Sequence, residues 1–229
     1  MRNEMVTIPI AAGETVSGIL SVPDSDAMAP GIILAHGAGN DMNQPMLQFL
    51  GEGLADAGYI TLRFNFLYKE KGKKLPDRPA VLYQAWDGAC KFLHEHPFYR
   101  PQEIIAAGKS MGGRIASQMV SEGRLPVSRL LFLGYPLHPP GKQEKLRDAH
   151  LYRIQIPMLF FAGTRDQLCD LELLKNVLQD LKAPWKLEVI EGGDHSFNVP
   201  KIYKIDQEEI YGHILKGMLL WLKEDLVVE

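Results

Sequence analysis

The chain has 229 residues, 46% of them hydrophobic and 23% charged, with a net charge of −3. That length and balance suit one sizeable globular α/β domain, expected as a single unit over residues 1–229, and the slight acidity argues against a general nucleic-acid binder, which needs a basic face. No apolar run approaches the ~20 residues that span a bilayer, and Met1 to Ile10 carries Arg2 and Glu4 instead of the long apolar core of a signal peptide.

Residues 5–10 and 15–22 read as strands, separated by the turn-like Ala12-Gly13-Glu14. A polar loop bounded by Pro23 and Pro30 follows. Gly31-Ile32-Ile33-Leu34-Ala35 is a continuous apolar run, the mark of a strand buried on both faces, and His36-Gly37-Ala38-Gly39 ends it. Residues 46–57 have helical spacing, with Leu47, Leu50, Leu54 and Ala57 on one face, and Gly58 stops the helix. A strand is expected over 59–66 and a long helix over 79–96, carrying Leu82, Ala85, Trp86, Ala89 and Leu93. Then come a strand at 103–107, a helix at 112–121, and further strands at 129–133, 158–162 and 185–190. Amphipathic helices are expected over 168–181 and 207–226, the second with Ile210, Ile214, Met218 and Trp221 in register as core packing. Cys90 and Cys169 sit in helix-like apolar patterns, so buried free thiols and a reducing cytoplasm are expected.

This alternation predicts an α/β fold, a mostly parallel central sheet with helices on both faces. About two dozen residues separate the strands at 129–133 and 158–162, too few for a lid domain, so an open site is expected. In such sheets chemistry gathers beyond the C-terminal ends of the strands, and the candidate functional residues share that address.

Gly108-Lys109-Ser110-Met111-Gly112 has the form Gly-x-Ser-x-Gly between a strand and a helix. A serine there occupies a sharp, strained turn with its Oγ thrust clear of the sheet, and the flanking glycines avoid a Cβ clash with the neighbouring strand or helix. The pattern also arises by chance, so it needs partners. His195, in Gly192-Gly193-Asp194-His195-Ser196-Phe197 after a strand, is the candidate base for Ser110. Asp166, in Gly163-Thr164-Arg165-Asp166-Gln167, is the candidate carboxylate that orients the imidazole. Asp194 would have to fold back on its own neighbour, and Asp170 is better placed to cap a helix. The chain order Ser110, Asp166, His195 is that of the nucleophile-elbow architecture. For the oxyanion, the expected backbone donors are Met111 at the helix start and Ala38 after the earlier strand, with Gly39 as the second choice and a candidate substrate contact. His36 is expected to bond loop backbone.

These four loops together, with Arg63-Phe64-Asn65-Phe66 and the stretch from Gly134 through Tyr135, His138 and Lys142, resemble the α/β-hydrolases along nearly the whole chain. Within them the chain is similar to small dienelactone-hydrolase-like proteins, a subgroup that includes the testis-expressed protein 30 type and the hydrolase-like region of an acetyltransferase-complex (NSL) subunit. The resemblance implies about eight strands and a Ser-Asp-His triad; no cofactor or metal is expected. Dienelactone hydrolases use a cysteine nucleophile; Ser110 departs from that and points away from dienelactones as substrates.

The expected function is a serine hydrolase working through an acyl-enzyme on small-molecule or surface-presented acyl groups, esters or thioesters. The alternative is a catalytically idle scaffold or protein-interaction module, which leaves a protein partner open. Tyr135 and His138 are expected on the rim, where they either touch substrate or are merely structural. The basic run between Lys69 and Lys74 reads as a solvated loop or an attractor of acidic groups, and His94-Glu95-His96 does not suit a metal because residues two apart on a helix point different ways. Lys109 either assists an oxyanion or points to solvent.

Overall fold

The computed structural model describes residues 1–24 and 30–224. Its strands are β1 (Arg2–Pro9), β2 (Thr15–Val22), β3 (Gly31–Ala35), β4 (Ile60–Phe64), β5 (Ile104–Lys109), β6 (Arg129–Leu133), β7 (Met158–Gly163) and β8 (Trp185–Ile190). The helices are α1 (Pro45–Asp56), α2 (Leu67–Glu70), α3 (Pro79–His94), α4 (Met111–Ser121), α5 (Leu171–Gln179) and α6 (Gln207–Leu222), with short 3₁₀ turns at Ala11–Gly13, Leu151–Arg153 and Lys201–Tyr203. Most of the loop expected between Pro23 and Pro30, and the end of the helix expected to reach residue 226, lie outside the described residues.

The strands form one sheet in the order β1-β2-β4-β3-β5-β6-β7-β8. β2 runs antiparallel to both its neighbours, β1 and β4, and every other pairing is parallel. The short Ala11–Gly13 turn permits the first antiparallel pair, whereas the parallel pairs need the crossover helices. Strand alternation then divides the core. Ile33, Ala35, Ala106, Phe132 and Phe160 face α3, α4 and α5, while Ile32, Leu34, Ala107, Leu131 and Phe161 face α1 and α6. Both faces of the central strands are therefore covered, which is why these segments read as unbroken apolar runs.

Helix faces follow the sequence closely. Leu47, Leu50 and Leu54 of α1 are fully buried, joined by Met46; Ala57 is exposed because the helix ends one residue before it. Ile210, Ile214, Met218 and Trp221 of α6 are buried in the core, as their register predicts. α5 starts later than expected, at Leu171. Asp170 is its N-cap, with a side-chain oxygen accepting from the N–H groups of Glu172 and Leu173. The one-turn helix α2 falls just after the expected strand, at the start of the expected loop. After it, Lys71 bonds Glu14 at 2.5 Å and Lys73 lies 3.8 Å from Asp77, so part of the basic run is neutralised within the fold. No helix among the described residues is long and apolar enough to cross a membrane.

Candidate active site

β5 passes directly into α4 through Ser110, whose backbone sits at φ 50°, ψ −113°. An L-residue with a side chain rarely adopts positive φ, so this is a strained turn held by its surroundings. The Ser110 N–H donates to the Leu133 carbonyl at 3.1 Å, and the Ser110 carbonyl accepts from Arg114 at 3.0 Å. Gly108 makes the turn feasible: a Cβ there would lie 2.1 Å from the Gly113 nitrogen. Strand and helix can touch this closely only without a side chain between them.

The loops after β7 and β8 meet in the same way. A Cβ on Gly163 would fall 2.2 Å from the Gly193 carbonyl oxygen, and the Arg165 N–H donates to that same carbonyl at 2.9 Å. This contact brings Asp166 against His195. Asp166 Oδ2 lies 2.8 Å from His195 Nδ1, and His195 Nε2 lies 2.8 Å from Ser110 Oγ. The other oxygen of Asp166, Oδ1, accepts the Leu168 N–H at 2.8 Å. The Asp166 side chain is fully buried, while that of His195 keeps 23% of its surface. A buried carboxylate that can only accept fixes Nδ1 as the protonated nitrogen of the ring and leaves Nε2 free to take a proton from Ser110. Ser110, Asp166 and His195, distant in sequence, are thus brought into one chain of hydrogen bonds.

Asp194 does something else. Its Oδ1 accepts from the N–H groups of Ser196 and Asn198 at 2.7 and 2.9 Å, closing the loop that carries His195. Burial raises its pKa, but the hydrogen bonds from Asn198 and Ser196 outweigh that, and the net shift is downward.

Met111 is the first residue of α4, and Ser110 caps the helix without a side-chain bond, so the Met111 N–H is one of the helix-start donors that have no partner within the helix. The loop after β3 borders the serine: a Cβ on Gly37 would sit 3.5 Å from Ser110 Cβ. Ala38 and Gly39 follow in an exposed turn, Gly39 at φ 84°. His36 is fully buried. Its Nδ1 bonds the Gly37 carbonyl at 2.8 Å and its Nε2 accepts the Phe66 N–H at 3.1 Å. Burial lowers its pKa to about 4, so it stays neutral and ties the β3 loop to the β4 loop.

The two residues expected on the rim, Tyr135 and His138, are both buried. Tyr135 is buried: its hydroxyl donates to the Arg147 carbonyl at 2.6 Å and lies 3.2 Å from His150 Nε2. Gly134, at φ 68°, turns the chain after β6 so that this ring packs edge-on against Phe132 and Phe160 in the core. His138 is 2% exposed, and backbone engages both its nitrogens, Nδ1 with the Pro139 carbonyl and Nε2 with the Asp170 N–H. Both side chains are engaged within the fold. A polar cavity of about 430 Å³ opens beside Asp166, lined by His138, Gln143 and Arg165 among others, but neither Ser110 nor His195 lines it. It is not the cleft from which the serine would be approached.

Lys109 points neither to solvent nor along the surface but into the fold. It continues the Ile105–Ala107 face of β5 and is 2% exposed. Its Nζ donates to the His195 carbonyl at 2.6 Å and lies 5.8 Å from the centre of the Phe197 ring. Burial lowers its pKa to about 8, opposed by the charges of Asp166 and Asp194. The lysine before the serine therefore anchors the loop that carries the histidine. Strand parity gives its face, but nothing in the sequence gives its partner. At the far end of α3, His96 Nδ1 accepts from the N–H groups of Phe98 and Tyr99, a turn-forming role.

Residues 28–223 match the family model described as alpha/beta hydrolase domain. The chain belongs to the α/β-hydrolases. Its fold agrees with solved hydrolases of similar size. A dienelactone hydrolase from Anabaena variabilis superposes with a TM-score of 0.71 at 21% identity, covering 94% of this chain and 95% of that one. A lidless α/β serine hydrolase from Xanthomonas campestris gives 0.72 at 16% identity, covering 98% and 97%. Among curated proteins, a putative phosphoribosyl transferase of Mycobacterium tuberculosis is 25% identical over 202 residues, which is 87% of this chain but 43% of that protein. This α/β-hydrolase thus spans less than half the length of the curated relatives it matches. Its sheet of eight strands among the described residues, mostly parallel and covered by helices, has the α/β-hydrolase fold.

Proposed function

We propose that this α/β-hydrolase is a serine hydrolase that cleaves small esters or thioesters, its acyl group free or presented on a surface. The observation that carries the reading is the pair of 2.8 Å hydrogen bonds linking Asp166, His195 and Ser110. Ser110 Oγ attacks the acyl carbonyl as His195 Nε2 takes its proton. The oxyanion that forms is held by the Met111 N–H, with Ala38 or Gly39 supplying the second donor. Collapse of this intermediate expels the alcohol or thiol, which takes the proton from His195, and leaves Ser110 acylated. Water then attacks the acyl-enzyme with His195 as base, releasing the acid and restoring Ser110.

Asp166 accepts from Nδ1 throughout and stabilises the imidazolium in each step. Esters and thioesters suit the site better than amides, because their leaving groups need less help. Serine in place of the cysteine of dienelactone hydrolases favours substrates other than dienelactones, and the site loops resemble those of the testis-expressed protein 30 type. Cys90 and Cys169 are buried and free, which fits a reducing compartment such as the cytoplasm.

A series of p-nitrophenyl esters and acyl thioesters of increasing chain length tests this. Turnover of at least the short members, abolished in Ser110→Ala, is expected; turnover that survives Ser110→Ala contradicts it.

A further inference from the structure

β8 is the last strand of the sheet, so its outer edge has no strand partner among the described residues. Its bonds to β7 fix which backbone groups point outward. The Met158 N–H donates to the Pro184 carbonyl at 2.9 Å and the Thr164 N–H to the Ile190 carbonyl at 3.2 Å. In a parallel ladder only alternate residues bond a given neighbour. Pro184, Lys186, Glu188 and Ile190 therefore face β7, and Trp185, Leu187 and Val189 turn their N–H and C=O groups outward. The side chains at this edge are also distinctive. Trp185 and Val189 are apolar yet 40% and 37% exposed. Between them, Lys186 and Glu188 carry opposite charges 3.5 Å apart, and Lys186 also pairs with Glu224 at 2.9 Å.

We infer that β8 pairs antiparallel with β8 of a second copy of this chain, about a two-fold axis through Leu187, so that the sheet continues across a homodimer. A strand paired with itself by a two-fold axis sets each residue opposite its mirror position along the strand. Outward-facing backbone groups have to meet outward-facing ones, so the axis passes through a residue and not between two. Near the strand centre that leaves Lys186, Leu187 or Glu188. An axis at Lys186 puts lysine opposite lysine, and one at Glu188 puts glutamate opposite glutamate, in the closely spaced kind of pair where like charges are most costly.

An axis at Leu187 sets Lys186 opposite Glu188 of the other copy, and the reverse by symmetry. It sets Trp185 opposite Val189, an aromatic with a β-branched side chain, and lets the two Leu187 residues exchange N–H···O bonds. One register alone thus satisfies charge, apolar cover and backbone bonding together. A lysine on an edge strand is a common guard against such pairing, but here the facing position carries its counter-charge.

Sedimentation velocity of the full chain at about 100 µM tests the proposal, because dimer population depends on chain concentration. The wild type is expected at dimer mass, Glu188→Lys at monomer mass, and Lys186→Glu/Glu188→Lys at dimer mass again. Circular dichroism checks that each variant folds. If Glu188→Lys does not fold, Leu187→Cys decides. The two cysteines would face each other with Cα atoms about 5.5 Å apart, within disulfide reach, and mild oxidation is expected to link the chains. Cys90 and Cys169 are buried and do not compete. A monomeric wild type, a dimer that folded Glu188→Lys leaves intact, or a Leu187→Cys chain that stays unlinked overturns the proposal. None of these results depends on whether Ser110 is a nucleophile.

Discussion

Asp166→Asn separates the two carboxylates near His195, and its effect follows from the bonds that Asp166 makes. Oδ1 accepts the Leu168 N–H and Oδ2 faces His195 Nδ1, each at 2.8 Å, in a fully buried side chain. Asparagine has one acceptor oxygen for these two donors. If the oxygen stays on Leu168, the amide NH₂ faces Nδ1 and drives the ring proton to Nε2, where it blocks removal of the Ser110 proton. If the amide flips, NH₂ meets the Leu168 N–H, a buried donor–donor contact that costs about 1–3 kcal/mol. In either orientation the charge-assisted bond to the imidazolium is lost, about 1.5–3 kcal/mol more. The sum, about 3–6 kcal/mol, corresponds to a loss of roughly 10²- to 10⁴-fold in the rate of Ser110 acylation. Asp194→Asn retains the Oδ1 acceptor used by Ser196 and Asn198 and never touches the ring, so its effect stays within about tenfold. Pre-steady-state acylation with an activated ester reads both. An Asp194→Asn loss as large as that of Asp166→Asn, or an Asp166→Asn rate within tenfold of wild type, refutes the assignment of the carboxylate.

Three further outcomes rest on packing and charge. Gly108→Ala would place a methyl 2.1 Å from the Gly113 nitrogen, and a thermal melt is expected to show destabilisation of about 4 kcal/mol or more, or no folded protein; a wild-type Tm would contradict the elbow geometry. Burial holds Lys109 at about 8, below its unfolded value, so between pH 8 and 10.5 the unfolded chain binds a proton that the folded chain does not. Stability from this group therefore rises with pH across that window, and urea unfolding should show wild type gaining up to about 3 kcal/mol relative to Lys109→Met; a constant difference would mean that the lysine is not buried as described. His150 bonds Ser117 at 2.8 Å and is lowered by burial to about 4, so from pH 6.5 down to 4 the unfolded chain takes up a proton and stability falls. The gap between wild type and His150→Gln should change in the variant's favour by up to about 3 kcal/mol over that range, and a gap independent of pH would refute the assignment.

The fold was legible because its signals are local. The central strands are apolar runs, the apolar faces of α1 and α6 have helical spacing, and Gly108 and Gly163 mark close approaches next to the candidate residues. The address of the site follows from strand ends, and the Gly-x-Ser-x-Gly pattern with the chain order of Ser110, Asp166 and His195 singles out the candidates at that address. Side-chain direction beyond a strand was not legible. Tyr135 and His138 lie after β6 as a rim residue should, yet the positive φ of Gly134 turns Tyr135 inward, and His138 is captured by the backbone of Pro139 and Asp170. Lys109 illustrates the same limit from the other side. Its polarity suits an oxyanion or solvent, but its partner is a carbonyl 86 residues away, a contact that exists only once the loops after β5 and β8 have met.

The central claim is that Ser110 is an activated nucleophile, and labelling with a fluorophosphonate probe tests it most directly. Native protein is expected to label at Ser110, with no labelling in Ser110→Ala or after heat denaturation and slowed labelling in His195→Ala and Asp166→Asn. Folded wild-type protein that fails to label, or labels equally well without Ser110, would contradict the account and leave the idle scaffold as the better reading.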